Sequence, residues 1–89
     1  MDKFRIFADF HNADPQGRLR LNCIGTARDL SRYQVSLVDG LVLTFHSEEL
    51  EVDGTVRYSD EENGWVAEID WQAIRRLAPT EEPSRDTGR

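Results

Sequence analysis

Between Leu41 and Trp71 apolar and polar side chains alternate almost without a break, and any fold of this chain has to satisfy that pattern. Val52, Gly54, Val56 and Tyr58 interleave with Asp53, Thr55, Arg57 and Ser59, and Trp65, Ala67, Ile69 and Trp71 interleave with Val66, Glu68 and Asp70. Successive side chains of an extended chain project to opposite faces, so the pattern describes strands with one buried and one wet side. It predicts three antiparallel strands over 41–46, 50–59 and 65–71. A two-residue type I′ turn at Asn63-Gly64 sets Tyr58 opposite Ile69, Val56 opposite Trp71 and Arg57 opposite Asp70. Slipping that register by one residue would turn a whole strand inside out. The same reasoning one turn earlier pairs Phe45 with Leu50, Leu43 with Val52 and Leu41 with Gly54, through a four-residue loop around Ser47-Glu48. Gly54 interrupts the apolar face and marks a bulge, a sharp coil or a close backbone approach.

The N-terminal part carries a second set of alternations. Phe4, Ile6, Ala8 and Phe10 interleave with Arg5, Phe7 and Asp9, and Leu19, Leu21 and Cys23 interleave with Arg18, Arg20 and Asn22. The turn-forming run Asn12–Gly17 between them predicts a hairpin of 4–10 with 18–23, pairing Phe10 with Leu19, Ala8 with Leu21, Ile6 with Cys23 and Asp9 with Arg20. Residues 24–40 are less regular. Ala27, Leu30 and Tyr33 fall three apart, predicting a short helix over 27–33 with Thr26 as its cap. Asp39-Gly40 has hairpin chemistry, but that turn sets Leu37 opposite the outward Val42. Either it is not a simple hairpin or those two side chains form a second apolar patch. After Trp71, Ile74 and Leu77 predict a helical turn over 71–77 capped by Asp70, ended by Pro79.

At 89 residues the chain has room for one thin core. The expected organisation is a single domain over 1–78 and a disordered polar tail over 79–89, which lacks apolar side chains. No run approaches the ~20 apolar residues a membrane helix needs, and the N-terminal residues carry no run of signal-peptide length. A single cysteine, Cys23, cannot form an internal disulfide and fits a reducing, cytoplasmic setting. Charge is uneven. The net is −6, and residues 48–70 hold nine acidic side chains against one basic. Such a surface repels phosphate backbones, which argues against nucleic-acid binding.

Five short strands sharing one apolar face suit a small curled barrel better than a sandwich. The order strand (18–23), long irregular loop (24–40), three-stranded meander (41–71) and helical turn (71–77) resembles that of SH3-like β-barrels. The expected fold is therefore mainly β: a five-stranded antiparallel SH3-like barrel whose closing strand has moved to the N-terminus. It carries one short helix in the 24–40 loop. The runs FADFHNADPQGRLRLN and LEVDGTVRYSDEENGWVAEIDW also resemble small uncharacterised bacterial proteins, a likeness that brings no catalytic residues with it.

The chemistry-bearing residues read mostly as structure. His11 and His46 are the only histidines. Although Glu48, Glu49, Glu51 and Asp53 lie near His46 in sequence, alternation sends Glu51 and Asp53 outward, the register puts them at different heights and no loop spacing matches a calcium site, so no metal site is expected. Cys23 reads as an inward, core-facing thiol. Ser31, Ser36, Ser47 and Ser59 lack a nucleophile-elbow context, and the glycines do not form a phosphate-binding loop. Trp65 and Trp71 read as core anchors. No catalytic residue and no cofactor are expected. The remaining clue is aromatic: Phe7 on the outer face beside Arg5, and Tyr33 on the irregular loop, suit a protein interface. The expectation is a non-catalytic protein-binding module, monomeric or weakly dimeric, using Phe7, Arg20 and Tyr33. The alternatives are a nucleic-acid-associated barrel with Arg5, Arg18, Arg20, Arg28 and Arg32 as its basic patch, and a structural subunit without ligand.

Overall fold

The computed structural model describes residues 4–77; the tail expected over 79–89 lies outside them. Six strands, one α-helix and one 3-10 turn follow in order. They are β1 (Arg5–Phe7), β2 (Leu19–Arg20), α1 (Ile24–Tyr33), β3 (Val42–His46), β4 (Leu50–Ser59), β5 (Gly64–Ile69), the 3-10 turn Trp71–Ala73 and β6 (Arg75–Arg76). The strands form one curled, half-barrel sheet in the order β1-β3-β4-β5-β2, with β6 added to the start of β4. Mainly-β architecture holds. The five-stranded antiparallel barrel does not: the sheet has six strands and is mixed, because β1 runs parallel to β3.

The meander forms where alternation places it, with most of its inward residues correctly assigned; Tyr58, expected inward, is exposed, and its neighbour Ser59 is buried instead. Leu43, Phe45, Val52, Val56 and Ala67 are buried in one cluster. Its registers differ from expectation by an even number of residues, which preserves the faces. The β4–β5 connection is a four-residue turn over 60–63, with Ser59 paired to Gly64, Tyr58 to Trp65, Val56 to Ala67 and Arg57 to Val66. Asn63 supplies the left-handed residue (φ 56°) that ends this turn, and the Glu62 amide donates to Ser59 Oγ at 3.1 Å. A type I′ turn would forfeit that bond. The Arg57 guanidinium therefore meets Glu68 at 3.3 Å rather than Asp70. One turn earlier, Phe45 pairs with Val52 and Leu43 with Gly54, and the Ser47 amide bonds the Leu50 carbonyl across Glu48-Glu49. Gly54 is the close approach: a Cβ there would meet Ile69 Cγ2 at 2.8 Å and Phe45 at 3.0 Å.

The N-terminal hairpin is the main correction. Residues 4–10 and 18–23 do bury Ile6, Ala8, Phe10, Leu19 and Leu21, but they do not pair with each other. β1 lies on β3, with Ile6 opposite Phe45, whereas β2 lies on β5, with Leu19 opposite Ala67. The reason is the turn between them. The buried Asp14 carboxylate accepts from the Gln16 amide (2.9 Å), the Arg18 amide (2.8 Å) and Arg18 Nε (2.7 Å). That arrangement holds 14–18 as a tight local loop, joined to β2 by the single bridge Ala13–Leu19. Arg18 and Arg20 then reach across the outer face to Ser59 Oγ and Glu62. Val66, the register partner of Arg20 and Arg57, is fully buried on that nominally wet face, a site where long basic side chains cover apolar surface.

Helix α1 begins three residues before the expected start, with Cys23 at its N-cap and Thr26 inside its first turn. Thr26 is thus not the cap. Its hydroxyl donates outward to the Phe7 carbonyl at 2.6 Å. The helix ends on Gln34 in the left-handed conformation, with Val35 N–H bonded to the Leu30 carbonyl and Gln34 N–H to the Ser31 carbonyl, a Schellman closure. Asp39-Gly40 is not a simple hairpin: Leu37 packs against the main core while Val42 is exposed. After β5 the expected 71–77 helical turn shortens to Trp71–Ala73, capped as anticipated by Asp70, whose carboxylate accepts from the Gln72 amide. The chain then extends into β6. Trp71 is not a core anchor: it is 43% exposed, with its indole N–H bonded to the Gly17 carbonyl.

Candidate functional site

Strand β1 is an edge strand, and its free edge is closed by side chains. Phe7 N–H donates to Asp29 Oδ2 at 2.8 Å, and the Phe7 carbonyl accepts from Thr26. Two orphan backbone groups are thereby satisfied, and the edge is withheld from further strand pairing. The helix sits so close that a Cβ on Gly25 would fall 2.6 Å from the Phe7 ring. On its other side Phe7 meets His46 edge to face, with centroids 6.0 Å apart. Phe7 is therefore only partly buried, wedged between α1 and β3.

Past this wedge the surface opens into a groove of about 480 Å³, where the end of β1 meets the β3–β4 turn and β6. Phe7, Phe10 and Leu50 supply its apolar lining; Asp9 and His11, from the segment after β1, and Ser47, Glu48, Glu49 and Arg76, from the β3–β4 turn and β6, supply the polar lining. Glu49 is paired with Arg76 at 3.1 Å. Asp9 accepts the His11 amide, with His11 Nδ1 at 3.7 Å. Ser47, His11 and Asp9 share the groove without forming a nucleophilic relay. The His11 side chain is fully exposed, whereas a general base has to be oriented within hydrogen-bond reach of its nucleophile.

Beside the groove, Glu51 is held between Arg5 Nε (2.8 Å) and Arg75 (3.2 Å). The Arg5 hydrogen bond, helped by Arg75 against partial burial, keeps its carboxyl below the usual range. At Asp14 burial pushes the carboxyl up, but the amide and guanidinium bonds from Arg18, with that from Gln16, outweigh it and hold the pKa low. Both carboxylates are structural staples.

The three residues singled out for partner binding occupy different places. Phe7 lines the groove. Tyr33 closes α1 and stacks on Phe4 with centroids 5.6 Å apart, so it shares the α1–β1 corner. Arg20 lies on β2, at the opposite end of the strand order, with its guanidinium on Glu62 at 2.7 Å. Of the suggested basic patch, Arg5, Arg18 and Arg20 are each bound to a carboxylate; among the described residues Arg28 and Arg32 on α1 carry none. Cys23 is partly buried at the α1 N-cap rather than core-facing, with Sγ 3.0 Å from Thr26 Oγ1. His46 turns toward Asp29 (3.6 Å) instead of the Glu49 turn. Among the described residues no group of His, Cys, Asp and Glu converges as a metal site, and no helix is long and apolar enough to cross a membrane.

Sequence reasoning missed Phe10, Leu50 and the Glu48-Glu49 turn as groove residues. Only the parallel β1–β3 pairing brings the end of β1 to that turn, and alternation carries no signal for it. Comparisons with family models, with curated proteins and with solved structures return no match.

Proposed function

We propose that the chain is a small non-catalytic module that binds a segment of another protein in the groove beside Phe7. The supporting observation is an open concavity with three apolar side chains, Phe7, Phe10 and Leu50, at the one corner where the sheet edge, the β3–β4 turn and β6 meet. Concave sites with a few apolar anchors and a polar rim are where proteins take ligands. The aromatic floor supplies the kind of side chain that dominates interface energies. Arg20 belongs to the fold rather than to this surface, because Glu62 and Asn12 already occupy its guanidinium. The nucleic-acid alternative loses support for the same reason: binding phosphate at Arg5, Arg18 or Arg20 means breaking an existing ion pair first. The succession of meander, 3-10 turn and short final strand favours an SH3-like relationship, and the single thiol suits a cytoplasmic setting.

Display selection of peptides on the purified chain, followed by amide shift mapping, tests the reading. Enriched peptides should perturb Phe7, Phe10 and Leu50. Selection that enriches nothing, or shifts confined to β2 and the 60–63 turn, rejects it.

A further inference from the structure

Resting on that reading, we infer the chemistry of the occupant: an extended segment with an apolar anchor flanked by lysine or arginine. The polar lining decides this. Asp9, from the segment after β1, and Glu48 and Glu49, from the β3–β4 turn, line the groove together with the apolar floor. Among the described residues Arg76 is the one Lys or Arg in the lining, and it is already paired with Glu49. Asp9 and Glu48 have no cationic side chain of a Lys or Arg against them among the described residues, so negative charge remains on both segments that border the Phe7–Phe10–Leu50 floor.

The chain as a whole has the same sign, with a net charge of −6. Clefts lined by one sign of charge concentrate the opposite sign and speed its association. An acidic or phosphorylated segment would meet repulsion from both. An uncharged apolar segment would use the floor and leave the carboxylates unanswered. A second copy of this chain also offers apolar and basic groups, on the exposed Ile24 and Arg28 of α1, so self-association is one of the outcomes to be read.

The experiment uses the full chain and three short labelled peptides sharing a central Leu-Phe pair, flanked by lysines, serines or glutamates. Anisotropy gives affinity, amide shifts give the location, and sedimentation gives the oligomeric state. The lysine peptide should bind about tenfold or more tighter than the serine peptide at low salt. That gap should shrink as ionic strength rises and the Debye length falls below ~10 Å. Glu48→Lys, at an exposed turn position, should remove most of the preference while leaving the melting temperature unchanged. Equal binding of the lysine and serine peptides, with shifts at Phe7 and Phe10, overturns the charge inference and leaves the groove standing. Failure of all three peptides to shift those amides overturns both. A concentration-dependent dimer that excludes the lysine peptide assigns the groove to a second copy and overturns the partner.

Discussion

The meander and the N-terminal segment bury their side chains equally well but are held in opposite ways. In β3–β4–β5 each strand lies beside the strand next to it in the chain, joined by connections of three and four residues. In residues 4–23, β1 depends on β3 and α1, and β2 depends on β5 and on a single local bridge to Ala13, so the two strands do not support each other. Local contacts are entropically cheap to close, while distant ones form only after the intervening loop is ordered. The meander is accordingly the part able to form first. The N-terminal strands are its dependants, clipped on by the Asp14 loop at one edge and by Thr26 and Asp29 at the other. The candidate groove sits on the dependent side.

Substitutions at four positions sharpen or break that contrast. Phe45→Ala empties the centre of the meander beneath Ile6 and should cost about 4 kcal/mol; denaturant titration showing a loss near 1 kcal/mol would mean that the core is centred elsewhere. Asp14→Ala unseats the buried loop carboxylate from Arg18 and should cost about 3 kcal/mol. The same residue fixes an acid sensitivity. Its folded pKa lies below the unfolded value of about 3.9, so its stabilising contribution is complete above that value and disappears as pH falls through the depressed folded pKa. Asp14→Asn should flatten the stability profile below about pH 4 in an acid-unfolding series.

Gly54→Ala forces a methyl group against Ile69 and Phe45 and should cost about 2 kcal/mol, read as a lower melting temperature with an unchanged sheet spectrum. Asp29→Ala frees the Phe7 amide and should cost about 1 kcal/mol globally. Its signature is local: amide exchange at Phe7 should speed up while Phe45 and Val56 stay protected. Equal acceleration in the meander would show that the two regions unfold together and would dissolve the distinction.

Exposure followed sequence more faithfully than partnership did. Ile6, Ala8, Phe10, Leu19 and Leu21 face the core as their alternation requires, because a two-residue period rests on backbone geometry alone. Their neighbours were misread, since nothing in Asn12–Gly17 announces that Asp14 folds inward on Arg18. The exceptions include Phe4 and Tyr58, exposed although alternation puts them inward, and side chains placed by distant groups. Val66 is buried on the wet face beneath arginines from two other strands, and Trp71 is drawn to the Gly17 carbonyl.

Of the three side chains first chosen for partner contact, Phe7 alone lines the groove. Phe10, Leu50 and the polar lining came together only through the β1–β3 pairing. The linear chain by itself determined the strands of the meander, most of the inward face of each and the Asp70 cap, because these depend on residues a few positions apart. Tertiary structure alone decided the parallel seat of β1, the even register shifts and the groove. Each depends on which of several equally apolar edges is left open once turns and buried carboxylates have set the path.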